Sequence, residues 1–287
     1  PPTVNSARKK KTPCGHSSHN IPPPDILPAM KQNTIYTGDC LELMKDIPEK
    51  SIGLVLCDLP YGITHNSWDK PLALDVLWDE YRRIVCPSGY VILFAQGLFI
   101  ADLMASNRKQ FSHKLVWVKS RPRSFLNANR MPLKQHEDIL VFRMGTGAPY
   151  YPQYTFGHAP YTDRHIGIFP SFNYGRHEVT RGIPLIHHND GRRHPVDVIQ
   201  VPASVWDKSP IHPTQKPIEL GRYLIRQYSN PNTVVLDNCC GSGSFLIAAM
   251  LENRPFIGIE ADPSFSSAAF QRKESIRLEL ETHLIQP

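Results

Sequence analysis

From Asn33 onward, short apolar runs bounded by turn residues alternate with stretches of helical spacing, a rhythm that predicts an α/β protein. Ile52-Gly53-Leu54-Val55-Leu56-Cys57 reads as a buried strand that ends in a loop at Asp58. Leu72 to Val85 has the periodicity of a helix and stops at Cys86-Pro87-Ser88-Gly89; Tyr90 to Ala95 is then a second strand. Leu98 to Asn107 reads as a helix, and Lys114–Val118 and Asp138–Phe142 as two further strands. After a long interruption the pattern resumes: a helix at about Pro217–Tyr228, a strand Val234–Leu236, a helix Ser244–Glu252, a strand Phe256–Ile259 and a closing helix from Ser264 to about Leu284. Strands alternating with helices imply a doubly wound, mostly parallel sheet.

The interruption, between about Thr146 and Trp206, has no periodicity and is rich in Gly, Pro, Tyr, His and Arg. A structureless loop of that length inside a compact domain is improbable, so the stretch is expected to be functional or a small subdomain. Residues 1–32 carry Arg8, Lys9, Lys10, Lys11 and Lys31 against Asp25 as the only acid, with seven prolines, and read as a flexible basic arm.

Composition narrows the class. The chain has 287 residues, 41% hydrophobic and 20% charged, enough for one large core or two modest ones. No stretch approaches the roughly 18 uninterrupted apolar residues of a membrane span, and the first residues lack the apolar core of a secretion signal. Thirty-two Lys and Arg against 26 Asp and Glu give +6, which suits a polyanionic partner. The six cysteines form no CxxC pair and read as reduced thiols of a cytosolic protein. Cys14-Gly15-His16-Ser17-Ser18-His19 lacks a fourth ligand, so no metal is expected.

Two motifs carry chemistry. In the first, the strand Val234-Val235-Leu236 runs into Asp237-Asn238-Cys239-Cys240-Gly241-Ser242-Gly243 and then a helix, with Glu260 at the tip of the next strand. A Gly-x-Gly turn lets backbone approach a nucleotide, and an acid at that tip is placed to accept from ribose hydroxyls. The third glycine of the dinucleotide fingerprint is missing, and Asp237 would repel a pyrophosphate but welcome a cation. This favours S-adenosyl-L-methionine, with its sulfonium and ammonium, over a dinucleotide. In the second motif, Asp58-Leu59-Pro60-Tyr61-Gly62 follows a buried strand. Asp58 and the Leu59 carbonyl could accept the two N–H groups of a flat amino-bearing ring, with Tyr61 stacked on its face.

Together these motifs resemble those of amino-group DNA methyltransferases, whose usual forms are Asp-Pro-Pro-Tyr and Phe-x-Gly-x-Gly. Their order, catalytic before cofactor, looks like the permuted β class of that family. Tyr36-Thr37-Gly38-Asp39-Cys40-Leu41 is similar to the segment whose Asp contacts the cofactor adenine. His136-Glu137-Asp138-Ile139-Leu140-Val141-Phe142 matches a strand region of the class, and His212-Pro213-Thr214-Gln215-Lys216-Pro217 looks like its cofactor-side element. Leu59 stands in place of the first Pro of the tetrad, and Asn238 and Cys239 stand where Pro and Phe are usual.

The resemblance implies a Rossmann-like class I methyltransferase fold with an inserted target-recognition region. It divides the chain into a basic arm (1–32), a catalytic half (33–145), a target-recognition region (146–205) and a cofactor half (206–287). It implies Asp58, Leu59, Pro60 and Tyr61 as catalytic residues. For S-adenosyl-L-methionine it implies Asp39, Cys40, Asp58, Thr214, Lys216, Asp237, Asn238, Cys239, Gly241, Ser242, Gly243, Glu260 and Ala261. The expected substrate is the N6 amine of an adenine flipped out of duplex DNA; because the tetrad begins with Asp, adenine is preferred over the N4 amine of cytosine. RNA or protein-amide methylation and a non-catalytic DNA-binding relic are the other readings. Residues 108–143 hold nine Lys and Arg against Glu137 and Asp138 and are the expected grip on phosphates. The expected DNA-binding residues are Lys119, Arg121, Arg123, Arg130, Lys134, Arg164 and Arg176. A homodimer and a cognate restriction endonuclease stay open as partners, no membrane is expected, and the implied location is the cytoplasm of a bacterial or phage-infected host.

Overall fold

The computed structural model describes residues 30–62, 70–165, 185–202, 207 and 215–285. Nearly all of the basic arm, with Cys14, His16 and His19, lies outside these residues. The described chain forms β1 (Thr34–Thr37), α1 (Cys40–Leu43), β2 (Ile52–Cys57), α2 (Leu74–Ile84), β3 (Val85–Ala95), α3 (Phe99–Ser106), β4 (Phe111–Arg123) and β5 (Lys134–Arg143). There follow β6 (Tyr161–His165), β7 (Leu185–Asn189), β8 (Val198–Ile199), α4 (Ile218–Tyr228), β9 (Val235–Asp237), α5 (Ser244–Leu251), β10 (Phe256–Glu260) and α6 (Pro263–Ile285).

Eight strands form one sheet in the order β1-β10-β9-β2-β3-β5-β4-β8. All neighbours are parallel except β5, which runs antiparallel to both β3 and β4. Side chains alternate across the sheet as a strand's two-residue period requires. On β3, Tyr90, Ile92 and Phe94 enter the core beneath α4 and α5, while Val91, Leu93 and Ala95 enter the core beneath α2 and α3. A sheet covered on both faces explains why the central strands read as unbroken apolar runs. Helices α2 and α4 are amphipathic; α2 buries Leu77, Trp78, Tyr81 and Ile84, and α4 buries Ile218, Leu224 and Ile225. The expected strands and helices outside 146–206 are all present, several extended at their ends.

Three features differ from the sequence reading. Thr34–Thr37 is an edge strand beside β10, too short and too polar to stand out by pattern. Strand β4 extends to Arg123 and β5 begins at Lys134, making a long hairpin that projects past the neighbouring strands. The 146–206 stretch, to which the sequence assigned no elements, holds short strands: β6 pairs with β7, Thr155 bridges Arg193, and β8 adds to the edge of the main sheet beside β4. Among the described residues no helix is long and apolar enough to cross a membrane.

Candidate active site

The ends of β9 and β2 lie side by side, with Val55 paired to Leu236. From β2 the chain steps outward to β3 and from β9 it steps the other way to β10, so this is the point where strand order reverses. Open α/β sheets bind ligands in the crevice outside the carboxyl ends of their strands at such a point. Here a cavity of about 650 Å³ occupies that place. Its wall includes Asp39 after β1, Asp58 to Tyr61 after β2, Gln96 after β3, Asp237 to Ser242 from the last residue of β9 onward, and Glu260 and Ala261 at the end of β10. The two motifs, far apart in sequence, therefore share one hollow.

On the β9 side the turn is built tightly. Gly241 and Gly243 have φ of +48° and +72°, the left-handed region where a side chain is strained. A Cβ on Gly243 would also stand 3.2 Å from that of Ala269 on α6. Glu260 holds the turn: Oε2 accepts the Gly241 N–H at 2.7 Å and Oε1 accepts the Asp262 N–H at 2.9 Å. One lone pair on each oxygen is left for a ribose hydroxyl. Arg272 braces the turn from behind, donating to the Ser242 carbonyl and the Ser244 hydroxyl, each at 3.0 Å, and to Asp207 at 3.0 Å. Asp39 caps α1, accepting from Leu41 and Glu42 at 2.8 and 3.2 Å.

Asp237 is buried, and its Oδ1 accepts the Cys239 N–H at 3.3 Å. Burial pushes its carboxyl up to about 8, and the charges of Asp58 and Glu260 add to the rise. A carboxyl in that state is a receptor for a cation, because a positive ligand group relieves the cost of ionising it. Asn238 accepts the Tyr81 hydroxyl at 2.7 Å. Cys40 and Cys239 line this wall, with Cys57 buried behind it. The Cys40 thiol is raised first by its hydrogen bond with Cys239 and then by burial, and burial pushes Cys57 up to about 12. Such thiols are poor nucleophiles. No group of three His, Cys, Asp or Glu among the described residues is placed to hold a metal ion.

On the β2 side, Asp58 is the centre of a charged network. Its Oδ1 accepts the Tyr61 hydroxyl, and its Oδ2 pairs with the Lys216 ammonium. Burial, and after it the nearby carboxylates, raise the Tyr61 phenol well above its ordinary value, so it remains a neutral donor. The Tyr61 ring tilts against Phe99 with centroids 5.2 Å apart. Leu59 is buried and, with Pro60, faces the cavity.

The structure brings together Asp39, Cys40, Asp58, Leu59, Pro60, Tyr61, Lys216, Asp237, Asn238, Cys239, Gly241, Ser242, Glu260 and Ala261 around one cavity. Gly243 shapes the turn without lining it. Lys216 sits between Asp58 of the tetrad and Glu137 rather than beside Glu260. Lys119 is half-buried and ion-paired with Glu137 in the cavity wall. Arg121, Arg123, Arg130 and Lys134 are exposed on the β4–β5 hairpin, around a tip formed by Phe125 and Leu126. The basic stretch is thus split. Phe111 and Arg143 pair with the opposite ends of their neighbours, which puts Arg108, Lys109 and Arg143 at the far edge of the sheet. Arg164 is described only in its β6 backbone, and Thr214 and Arg176 lie outside the described residues. Sequence reasoning placed Glu137 in a strand but did not single it out for the site; the signal was a run of polar residues, His136-Glu137-Asp138, opening an apolar strand at a carboxyl edge. Phe245 and Phe265, also in the wall, were not singled out either.

The model of a family described as DNA methylase matches residues 52–271. DNA adenine methyltransferase YhdJ of Escherichia coli K12 is 27% identical over 260 residues, covering 83% of this chain and 82% of that protein. Type II methyltransferase M.BglII of Bacillus subtilis is 26% identical, covering 86% and 71%. Among solved structures, the M1.HpyAVI–SAM complex superposes with a TM-score of 0.55 at 22% identity, over 83% of this chain and 98% of that one. The cytosine-N4-specific PvuII DNA methyltransferase gives 0.59 at 17% identity, over 87% and 91%.

Proposed function

The chain belongs to the DNA methylase family whose model it matches over more than half its length, and from that membership we propose that it methylates the N6 amine of adenine in a specific duplex DNA sequence. The observation that carries this reading is the shared cavity: an acid–tyrosine pair on one wall faces a glycine turn and a cation-seeking carboxyl on the other. S-Adenosyl-L-methionine supplies the methyl group. The residues suited to hold it are Asp39, Asp237, Gly241, Ser242 and Glu260; the glycine turn gives close backbone approach, Asp237 receives positive charge and Glu260 accepts hydroxyls.

An exocyclic amine is a weak nucleophile because its lone pair is conjugated with the ring. In our reading Asp58 and the Leu59 carbonyl accept its two N–H groups, drawing the nitrogen toward tetrahedral geometry and freeing the pair for in-line attack on a methyl carbon, whose bond to sulfur would break as the N–C bond forms, the amine then giving up one N–H proton. Tyr61 stacks on the flipped base, making up for the base stacking it leaves behind in the duplex. Adenine is preferred because the tetrad begins with an acid, and the adenine activity in the name of YhdJ supports that choice. The raised thiols of Cys40 and Cys239 argue against thiolate attack at a pyrimidine carbon.

Arg121, Arg123, Arg130 and Lys134 on the hairpin, with Arg164 and Arg176, are the proposed DNA-binding residues, and residues 146–205 the proposed reader of sequence. The Type II names of relatives agree with a restriction partner, and the family's substrate with a location among cellular DNA. The test is transfer of radiolabelled methyl to unmethylated duplex DNA, followed by digestion to nucleosides. Label in N6-methyldeoxyadenosine is expected; label in N4-methyldeoxycytidine would replace adenine by cytosine as the target, and label accepted only by RNA or protein would end the reading.

A further inference from the structure

Lys216 precedes α4 by a single residue, and its side chain is only 7% exposed. Its ammonium pairs with Asp58 Oδ2, lies 3.1 Å from Glu137 Oε2, and sits 5.2 Å over the ring of Phe94. Phe94 in turn stacks on Phe245, with centroids 5.3 Å apart. Glu137, equally buried, gives its other oxygen to Lys119. One lysine therefore joins the acid of the tetrad to a second carboxylate buried in the same wall.

A buried carboxylate beside a second one carries repulsion and a desolvation cost that a cation placed between them offsets. Among the described residues, the other groups facing this pair are Tyr61 beside the tetrad acid, Cys57 at the end of β2, Lys119 on β4 and Asp237 at the end of β9. Lys119 is committed to Glu137, so among the described residues Lys216 is the cation that reaches Asp58.

We propose that Lys216 is a positioning residue for methyl transfer, holding Asp58 as a fixed carboxylate so that it can accept the target amine. The inference rests on the reading of Asp58 as that acceptor. Burial pushes the Lys216 ammonium toward neutrality, but Asp58 and Glu137 more than reverse it, so it is a permanent cation and not a base. Burial likewise pushes Glu137 up, and Lys216 and Lys119 more than reverse that. Tyr61 on Oδ1 and Lys216 on Oδ2 each use one lone pair, and one on each oxygen is left for the incoming N–H.

The test is the pH profile of methyl transfer to unmethylated phage DNA at saturating S-adenosylmethionine, from about pH 6 to about pH 9. Lys216→Met leaves Asp58 and the buried Glu137 without the cation between them, so its rate at about pH 6.5 is expected to fall at least about tenfold below its own rate at about pH 8.5, a ratio the wild type does not show. Adding Glu137→Gln removes the competing acid and is expected to bring the acid limb back toward the wild type, while Lys216→Arg keeps it. A loss equal at every pH, or a wild-type profile in Lys216→Met, would overturn the proposal. If Lys216→Met does not fold, Glu137→Gln alone decides: its acid limb stays in place or moves to lower pH, and a limb moved upward contradicts the inference. Asp58→Ala, run in parallel, separates the two readings, because activity retained there removes the acceptor itself.

Discussion

Gly241 donates its backbone N–H to Glu260 at 2.7 Å, so the glycine turn after β9 and the acid at the end of β10 form one rigid piece. Glu260→Ala removes both the acceptor for ribose and the anchor of the turn. A hydrogen bond to a charged group is worth about 1.5–3 kcal/mol, so cofactor affinity should fall roughly tenfold to a hundredfold. Calorimetry checks this, and an unchanged dissociation constant would remove Glu260 from the cofactor site.

Asp237 predicts a proton released on cofactor binding. Its folded-state carboxyl, raised by burial from 3.8 to about 8, carries a proton at neutral pH, and a bound cation favours the ionised form. Binding at about pH 7 should therefore show an enthalpy that varies with the ionisation enthalpy of the buffer, and Asp237→Asn should abolish that variation. Linkage fixes the sign for stability as well. The folded chain binds this proton more tightly than the unfolded one, so the stabilising contribution is complete below the ordinary value of 3.8 and is lost as pH rises through about 8. The melting temperature of the cofactor-free protein should fall over that window, and less so in Asp237→Asn.

The hairpin cations predict a local salt effect. Replacing Arg121 and Arg123 by Ala should weaken DNA binding and reduce the slope of log K against log salt by roughly one for each phosphate that is no longer neutralised. Arg108→Ala with Lys109→Ala, at the far edge of the sheet, should leave the slope unchanged. Equal effects from both pairs would mean that the grip is diffuse charge and not the hairpin.

The backbone of the turn predicts a further loss. Gly243→Ala strains a left-handed position and brings a methyl to 3.2 Å from Ala269, so stability should drop by about 1–2 kcal/mol. Chemical denaturation measures it, and a neutral result would mean that α6 yields at that point.

The two motifs that the sequence made legible share a physical property: each stands where an apolar strand meets a turn. Asp58 and Asp237 stand at the ends of buried strands, with a Pro or a Gly within the next four residues, so local pattern was enough to locate both. What pattern could not supply was partnership. Lys216 and Asp58 are 158 residues apart, and nothing in the spacing announces that their side chains meet. Strand direction was equally hidden, since β5 alternates in the same way whether it runs with or against β3. Strand β1 escaped because four residues of mixed polarity have no period to read. The pairing of β6 with β7 is a long-range event between short polar strands, where sequence periodicity is weakest.

The most direct test of the account is to express the wild-type chain and Asp58→Ala in a host whose DNA carries no adenine or cytosine methylation, and to sequence the genomic DNA for modified bases. The wild type should mark adenine in one short sequence context, and Asp58→Ala, though still able to bind S-adenosylmethionine, should leave no marks. Marks that persist in Asp58→Ala, or no marks at all from a folded, cofactor-binding wild type, would contradict it.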